Sequence, residues 1–202
     1  MVIAVLTGDL VRSTDLEQDR LDQAMQALAA AAAQAASWHG ASLMFSRNRG
    51  DGWQVCLARP ELALRTALCM RAALRTGGKD LATRIAIAVG NGDPGSTGDL
   101  NAASGPVFVA SGRALDALEL PAMMTFEGGG ALGAAVRLAD YVSQGWTEAQ
   151  ARAVGPMLEP DTPVRREVAQ AIGISRQAVD QALEAAGYPA LAEALALIEG
   201  AA

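Results

Sequence analysis

Two aspartates stand where short apolar runs give out. Asp9 follows the run Val2-Ile-Ala-Val-Leu6 through Thr7-Gly8. Asp51 lies in the polar turn Ser46-Arg-Asn-Arg-Gly-Asp-Gly52, between Leu43-Met-Phe45 and Trp53-Gln-Val-Cys-Leu57. Carboxylates at converging strand ends suit a divalent cation held by hard oxygen ligands, with nucleotide phosphates completing its shell. The segment Leu10-Val11-Arg12-Ser13-Thr14 joins a strand to a helix start. Its backbone N–H groups and the helix dipole suit phosphate, and Arg12 would add a charge-assisted contact. Arg47 and Arg49, beside Asp51, are candidate phosphate or base contacts. The plainer reading of the aspartates is turn and capping chemistry. For the two arginines it is a solvated hairpin tip that ion-pairs locally.

A second constellation lies near the C-terminus. Val168, Ala169 and Ile172 precede Gly173-Ile-Ser175, and Ala178, Val179 and Leu183 follow. Small residues at a helix crossing, glycine in the turn and branched residues locking the second helix form a helix-turn-helix pattern. Ser175, Arg176, Gln177 and Asp180 would face outward at the start of the second helix, where Arg and Gln can read base edges. Arg165 and Arg166 would touch phosphates. Residues 141–202 nevertheless hold four basic and eight acidic side chains. Phosphate contacts drive most DNA affinity, so one copy would bind weakly and a dimer would be needed. Docking to protein is the other use of such a module.

The elements that must position these groups follow from periodicity. Val2–Leu6 reads as a buried central strand. Thr14-x-x-Glu17 resembles a capping box, and Leu21, Met25, Leu28 and Ala32 predict a helix over 15–38, stopped by Gly40. The two runs flanking Asp51 predict a hairpin. Pro60 and Glu61 open a helix that Gly77-Gly78 ends, Arg84–Val89 is a strand, and 90–104 is a loop. A helix over 106–119, a short strand over 123–126 and a helix from about 131 to 143 complete the first part. The order β-α-β-β-α-β-α-β-α begins as the split-βαβ, ferredoxin-like order, which places strand one beside the hairpin and brings Asp9 and Asp51 to one end of the sheet. The character changes after Gly145, with Pro156, Pro160 and Pro163 as punctuation. The predicted architecture is α+β: a ferredoxin-like sandwich over 1–144 followed by a small all-α helix-turn-helix domain over 145–202.

Composition narrows the function classes. The 202 residues are 51% hydrophobic and 19% charged, enough apolar material for a substantial core and too much for a disordered chain. The net charge is −6, which argues against a broadly basic nucleic-acid coat. His39 is the sole histidine, so His-rich zinc sites and Ser-His-Asp triads are nearly excluded. Cys56 and Cys69 sit in apolar stretches and read as buried free thiols. The absence of a secretory start or a long apolar span points to the reducing cytoplasm.

Three motifs carry a family resemblance. Val5-Leu-Thr-Gly-Asp-Leu-Val-Arg-Ser-Thr14, Arg47-Asn-Arg-Gly-Asp-Gly52 and Gly105-Pro-Val-Phe-Val-Ala-Ser-Gly-Arg-Ala-Leu115 resemble the class III nucleotidyl cyclase homology domain in order and spacing. The whole set resembles SatD-type proteins, which couple a shortened cyclase-like domain to a C-terminal helix-turn-helix. The resemblance implies that Asp9 and Asp51 bind Mg²⁺ or Mn²⁺ beside a nucleoside triphosphate or cyclic nucleotide, and that the protein is a homodimer. It places Arg113 as the arginine that stabilises the transition state and Arg47 where adenylyl cyclases read the base with lysine. Ala102 falls near their second base-reading position. Four residues before Arg113, where the family has asparagine, stands Val109, which cannot donate a hydrogen bond. Losing one such preorganised donor commonly costs about 10²–10³ in rate. The expected function is therefore a nucleotide- and metal-sensing, DNA-binding regulator with weakened catalysis. The alternative is an active nucleotidyl cyclase.

Overall fold

A computed structural model describes residues 1–40, 44–48, 50–95 and 99–200, with the side chain of Asn101 left aside. Leu43 and Arg49 lie outside the described residues. Five strands form one sheet: β1 (Val2–Leu10), β2 (Met44–Arg47), β3 (Gly52–Leu57), β4 (Thr83–Asn91) and β5 (Met124–Phe126). Their order is β2-β3-β1-β4-β5. β1 runs antiparallel to both β3 and β4, β2 antiparallel to β3, and β5 parallel to β4.

Strand β1 is central because both its faces are apolar. Ala4, Leu6 and Leu10 enter one core, while Ile3 and Val5 enter a second on the opposite side, as the period of two demands. The first face is covered by α1 (Gln18–His39), α2 (Ala63–Gly77) and α4 (Gly130–Gln144). The other face receives α3 (Pro106–Asp116), which buries Val107, Ser111 and Leu115.

The start of α1 differs from the sequence expectation. Thr14 lies in a short 3-10 helix over Ser13–Asp15, and Glu17 is the N-cap without a side-chain capping bond. The intervening tight turn separates Thr14 from the amides it would have capped. Gly40 ends α1 in the left-handed conformation at φ 63°, where glycine avoids the Cβ clash. Helix α2 begins three residues late for a similar reason, since Pro60–Leu62 form a 3-10 helix first. Helix α3 stops at Asp116 rather than at 119.

Beyond residue 144 come α5 (Glu148–Met157), α6 (Arg165–Ile172), α7 (Arg176–Ala185) and α8 (Tyr188–Gly200). Helix α5 carries a full capping box: the Thr147 hydroxyl accepts from the Gln150 N–H, and the Gln150 side chain accepts from the Thr147 N–H. Gly173, at φ 72°, closes α6, and the Ser175 hydroxyl caps α7 by accepting from the Ala178 N–H at 3.1 Å. Trp146, Ala151, Val154, Met157 and Leu158 belong to the same apolar cluster as Leu28, Leu68 and Ile85, so the core runs on through residue 144. Helix α8 is tied back to α2, where Arg65 grips Glu199 through two bonds of 2.6 and 2.8 Å. Among the described residues no helix is long and apolar enough to cross a membrane.

Candidate functional site

The antiparallel register brings Asp9 and Asp51 to one end of the sheet. Asp9 pairs with Gly52 across β1 and β3, and the Leu10 N–H donates to the Asp51 carbonyl at 3.3 Å. The motif glycine Gly8 makes this possible. A Cβ there would lie 2.6 Å from the Arg84 carbonyl and closer still to the indole of Trp53. Trp53 is wholly buried, and its Nε1 donates to the Thr83 hydroxyl at 3.0 Å. That hydroxyl in turn donates to the Asp9 carbonyl at 2.6 Å, so the strand end is fixed through its backbone as well as its side chain.

A residue absent from the sequence expectation dominates the site. Arg84, the register partner of Asp9 on β4, holds both its carboxylate oxygens: Nε donates to Oδ1 at 2.9 Å and Nη2 to Oδ2. Its Nη1 donates to the Leu118 carbonyl at 3.1 Å. The bond to Asp9 raises the Arg84 pKa, burial opposes it, and the fields of Asp9, Asp116 and Asp51 add to the rise. Arg84 had signalled itself only as the polar first residue of an apolar strand, which reads equally as a strand boundary. The Asp51 carboxylate has no ion pair among the described residues.

The donor set does not fit a resident divalent ion as it stands. Both oxygens of Asp9 are engaged by a guanidinium, and among the described residues no three His, Cys, Asp or Glu side chains come together as a metal-binding group. The phosphate cradle is also narrower than expected. The N–H groups of Leu10 and Val11 donate to the carbonyls of Asp51 and Ala82, and the Leu10 side chain is buried. Arg12 stays exposed, with φ at 54° an uncommon left-handed conformation for a side-chain-bearing residue. Ser13 and Thr14 lie beside it in the 3-10 helix.

The other candidates lie apart. Arg47 donates to the Gly50 carbonyl at 3.2 Å within the hairpin turn and to Asp22 on α1 at 2.7 Å, so its ion pair ties the hairpin to that helix. Arg113 and Val109 stand on the side of α3 opposite its buried row, and both are exposed. Within one chain Arg113 therefore points away from the sheet that carries Asp9. Ala102 is also exposed. On the same face of β1 as Asp9, Thr7 accepts from Gln54 at 2.9 Å and shares a 2.8 Å hydrogen bond with Ser111, which fastens α3 over the sheet.

The helix pair near the C-terminus is partly neutralised from within. Arg165 bonds Asp180 at 2.9 Å, and Arg176 lies 3.6 Å from the same carboxylate. Ser175 uses its hydroxyl as a cap. Arg166, Arg176 and Gln177 remain exposed.

His39 and both cysteines belong to the core rather than to any site. His39 lies between the Thr66 hydroxyl and the Arg59 N–H, each at 3.3 Å, and burial pulls its pKa down to about 4. Burial pushes the thiols up, to about 11 for Cys56 and about 12 for Cys69.

No protein-family profile matches the sequence, and no curated protein matches it. Among solved structures the fold is similar to that of a bacterial light-regulated adenylyl cyclase, at 15% identity and a TM-score of 0.45, over 62% of this chain and 74% of that one. A second structure of a bacterial light-regulated adenylyl cyclase aligns at 16% identity and a TM-score of 0.44, over 62% of this chain and 42% of that one.

Proposed function

We propose that this protein is a nucleotide-responsive regulator: a ferredoxin-like, class III cyclase-like domain that binds a nucleoside triphosphate with little or no cyclisation, joined to a helix-turn-helix of the SatD type. The observation that carries the reading is the convergence of Asp9 and Asp51 at one sheet end with Arg84 bound to Asp9 and within the field of Asp51. A guanidinium beside carboxylates is a charge pair that an incoming phosphate can divide, taking Arg84 as its donor. Arg12 is exposed just past the end of β1, on the neighbouring groove. Mg²⁺ or Mn²⁺ belongs to this reading only as the triphosphate's own counter-ion, with Asp51 the carboxylate left for it.

The preference for sensing over catalysis rests on α3. Val109 donates no hydrogen bond, and Arg113 faces away from the Asp9 end of its own chain. Arg113 reaches a bound nucleotide only from a second copy, which agrees with the homodimer the resemblance implies. In the dimer, two helix-turn-helix units present Arg166, Arg176 and Gln177 to DNA, with Arg165 released from Asp180 to a phosphate and Ser175 at the helix start. Nucleotide binding would alter their spacing, on which DNA affinity depends. The setting is the cytoplasm.

Calorimetric titration of the purified protein with ATP and GTP, with and without Mg²⁺, tests the proposal. Saturable binding that Arg84→Gln weakens, with no cyclic product after incubation with Mn²⁺, is the expected result. Absence of binding to any nucleoside triphosphate overturns it, and steady release of cyclic nucleotide replaces it with the enzyme reading.

A further inference from the structure

Helix α2 carries two arginines one turn apart, Arg71 and Arg75. Arg71 is buried, and its Nη1 donates to Asp140 Oδ1 at 2.8 Å, to Ser143 Oγ at 2.7 Å and to the Asp140 carbonyl at 3.2 Å. Its Nη2 is also buried and has no hydrogen-bond partner among the described residues. A buried donor left unsatisfied costs about 1–3 kcal/mol, more when charged, so such atoms call for an occupant.

The local charge is unbalanced in the same direction. Asp140 is fully buried, and its second oxygen accepts from the Met123 N–H and from Arg137 Nη1, each at 2.9 Å. One carboxylate thus serves two guanidiniums. Arg75 adds a third positive charge: it donates to the Lys79 carbonyl at 2.9 Å and makes no ion pair among the described residues. Asp80, whose pKa Arg75 helps to lower, has both oxygens on Arg20. Burial lowers the Arg71 pKa most, Asp140 raises it, and Arg75 lowers it further.

The two arginines line a cavity of about 80 Å³, together with Thr83, Met123, Ser143 and Gln144. That volume admits two or three waters, at about 30 Å³ of liquid volume each, or one small anion. Water would satisfy Nη2 but leave the excess positive charge. The cavity shares Ala82, Met123 and Gln144 with a wider surface groove that adds Lys79, Arg12 and Asp80, the last with both oxygens on Arg20.

We propose that this cavity binds a small oxyanion, a phosphate, sulfate or carboxylate group, between Arg71 Nη2 and the guanidinium of Arg75. It is separate from the Asp9 site. Thr83 and Arg84 are consecutive on β4 and so point to opposite faces of the sheet, with Arg84 on Asp9 and Thr83 on this cavity. Planar guanidinium forks suit oxyanion geometry, and a ligand bearing such a group at one end would extend into the groove.

Calorimetry and thermal melts with inorganic phosphate, sulfate, acetate and chloride at matched ionic strength test the inference. Saturable binding of an oxyanion, with a Kd of about 1 mM or tighter, and no comparable effect of chloride are expected. Preference among phosphate, sulfate and acetate identifies the class of head group. Arg75→Gln should weaken that binding roughly tenfold or more while unfolding stays cooperative. A crystal structure from phosphate solution should show the anion on Arg71 Nη2, a readout that does not depend on any variant folding. The inference is overturned if none of the oxyanions binds saturably, if Arg75→Gln binds as well as wild type, or if only waters occupy the cavity.

Discussion

At the scale of single residues, the sole histidine sets a pH limit on stability. His39 is buried between Thr66 and the Arg59 amide, and its pKa is lowered to about 4 by burial first and then by Arg59, against an opposing pull from Glu61. In the unfolded chain the ring protonates near its ordinary value of about 6.5. The neutral ring therefore contributes stability above that value, and the contribution is lost as pH falls from there towards 4. Urea titrations should show unfolding free energy dropping by on the order of 1–3 kcal/mol across that window, beyond the drop seen in His39→Gln. An equal drop in the variant would assign the acid sensitivity to other groups. The two thiols, pushed far above neutrality by burial, have no comparable role.

At the scale of elements, the site depends on how closely β1, β3 and β4 approach. Gly8 admits the Trp53 ring, and Trp53 holds Thr83, which bonds the Asp9 carbonyl. Gly8→Ala inserts a methyl where the indole and the Arg84 carbonyl already meet. Overpacking of this kind costs about 1–3 kcal/mol. A lowered melting temperature with a shifted tryptophan emission is the expected outcome, together with weaker nucleotide binding as the Asp9–Arg84 geometry is disturbed. Unaltered emission and stability would show that the strands separate freely at this point.

At the scale of the whole molecule, the sheet and the C-terminal helices share one core. Helix α5 packs Ala151, Val154 and Met157 into the cluster that contains α1 and α2, and α8 returns to α2 through Arg65 and Glu199. Cutting the chain after residue 144 would bare this apolar surface on α2. The fragment 1–144 is expected to aggregate or to melt without a cooperative transition, while the full chain shows a single transition by calorimetry and by circular dichroism. A soluble fragment that melts as cooperatively as the full chain would establish an independent first domain.

Much of the element order was legible in the chain because periodicity is local. The apolar run of β1, the helical spacing of α1 and its Gly40 stop, and the Gly173 turn all depend on near neighbours in sequence. The meeting of Asp9 and Asp51 was legible too, since the split order of strands dictates it. The start of α1 was misread because a 3-10 helix and a capping box use the same residue types. Arg84 was missed because its partner lies 75 residues away, and cross-strand register is decided by packing around Gly8 and Trp53. The orphaned nitrogen of Arg71 has the same origin: an arginine in a helix reads as a surface residue until α4 closes over it. Sequence alone determined which segments would be strands and helices and which acids would share a sheet end. Only the tertiary structure decided which charges those acids face, because ion pairing depends on distances between segments that carry no local signal.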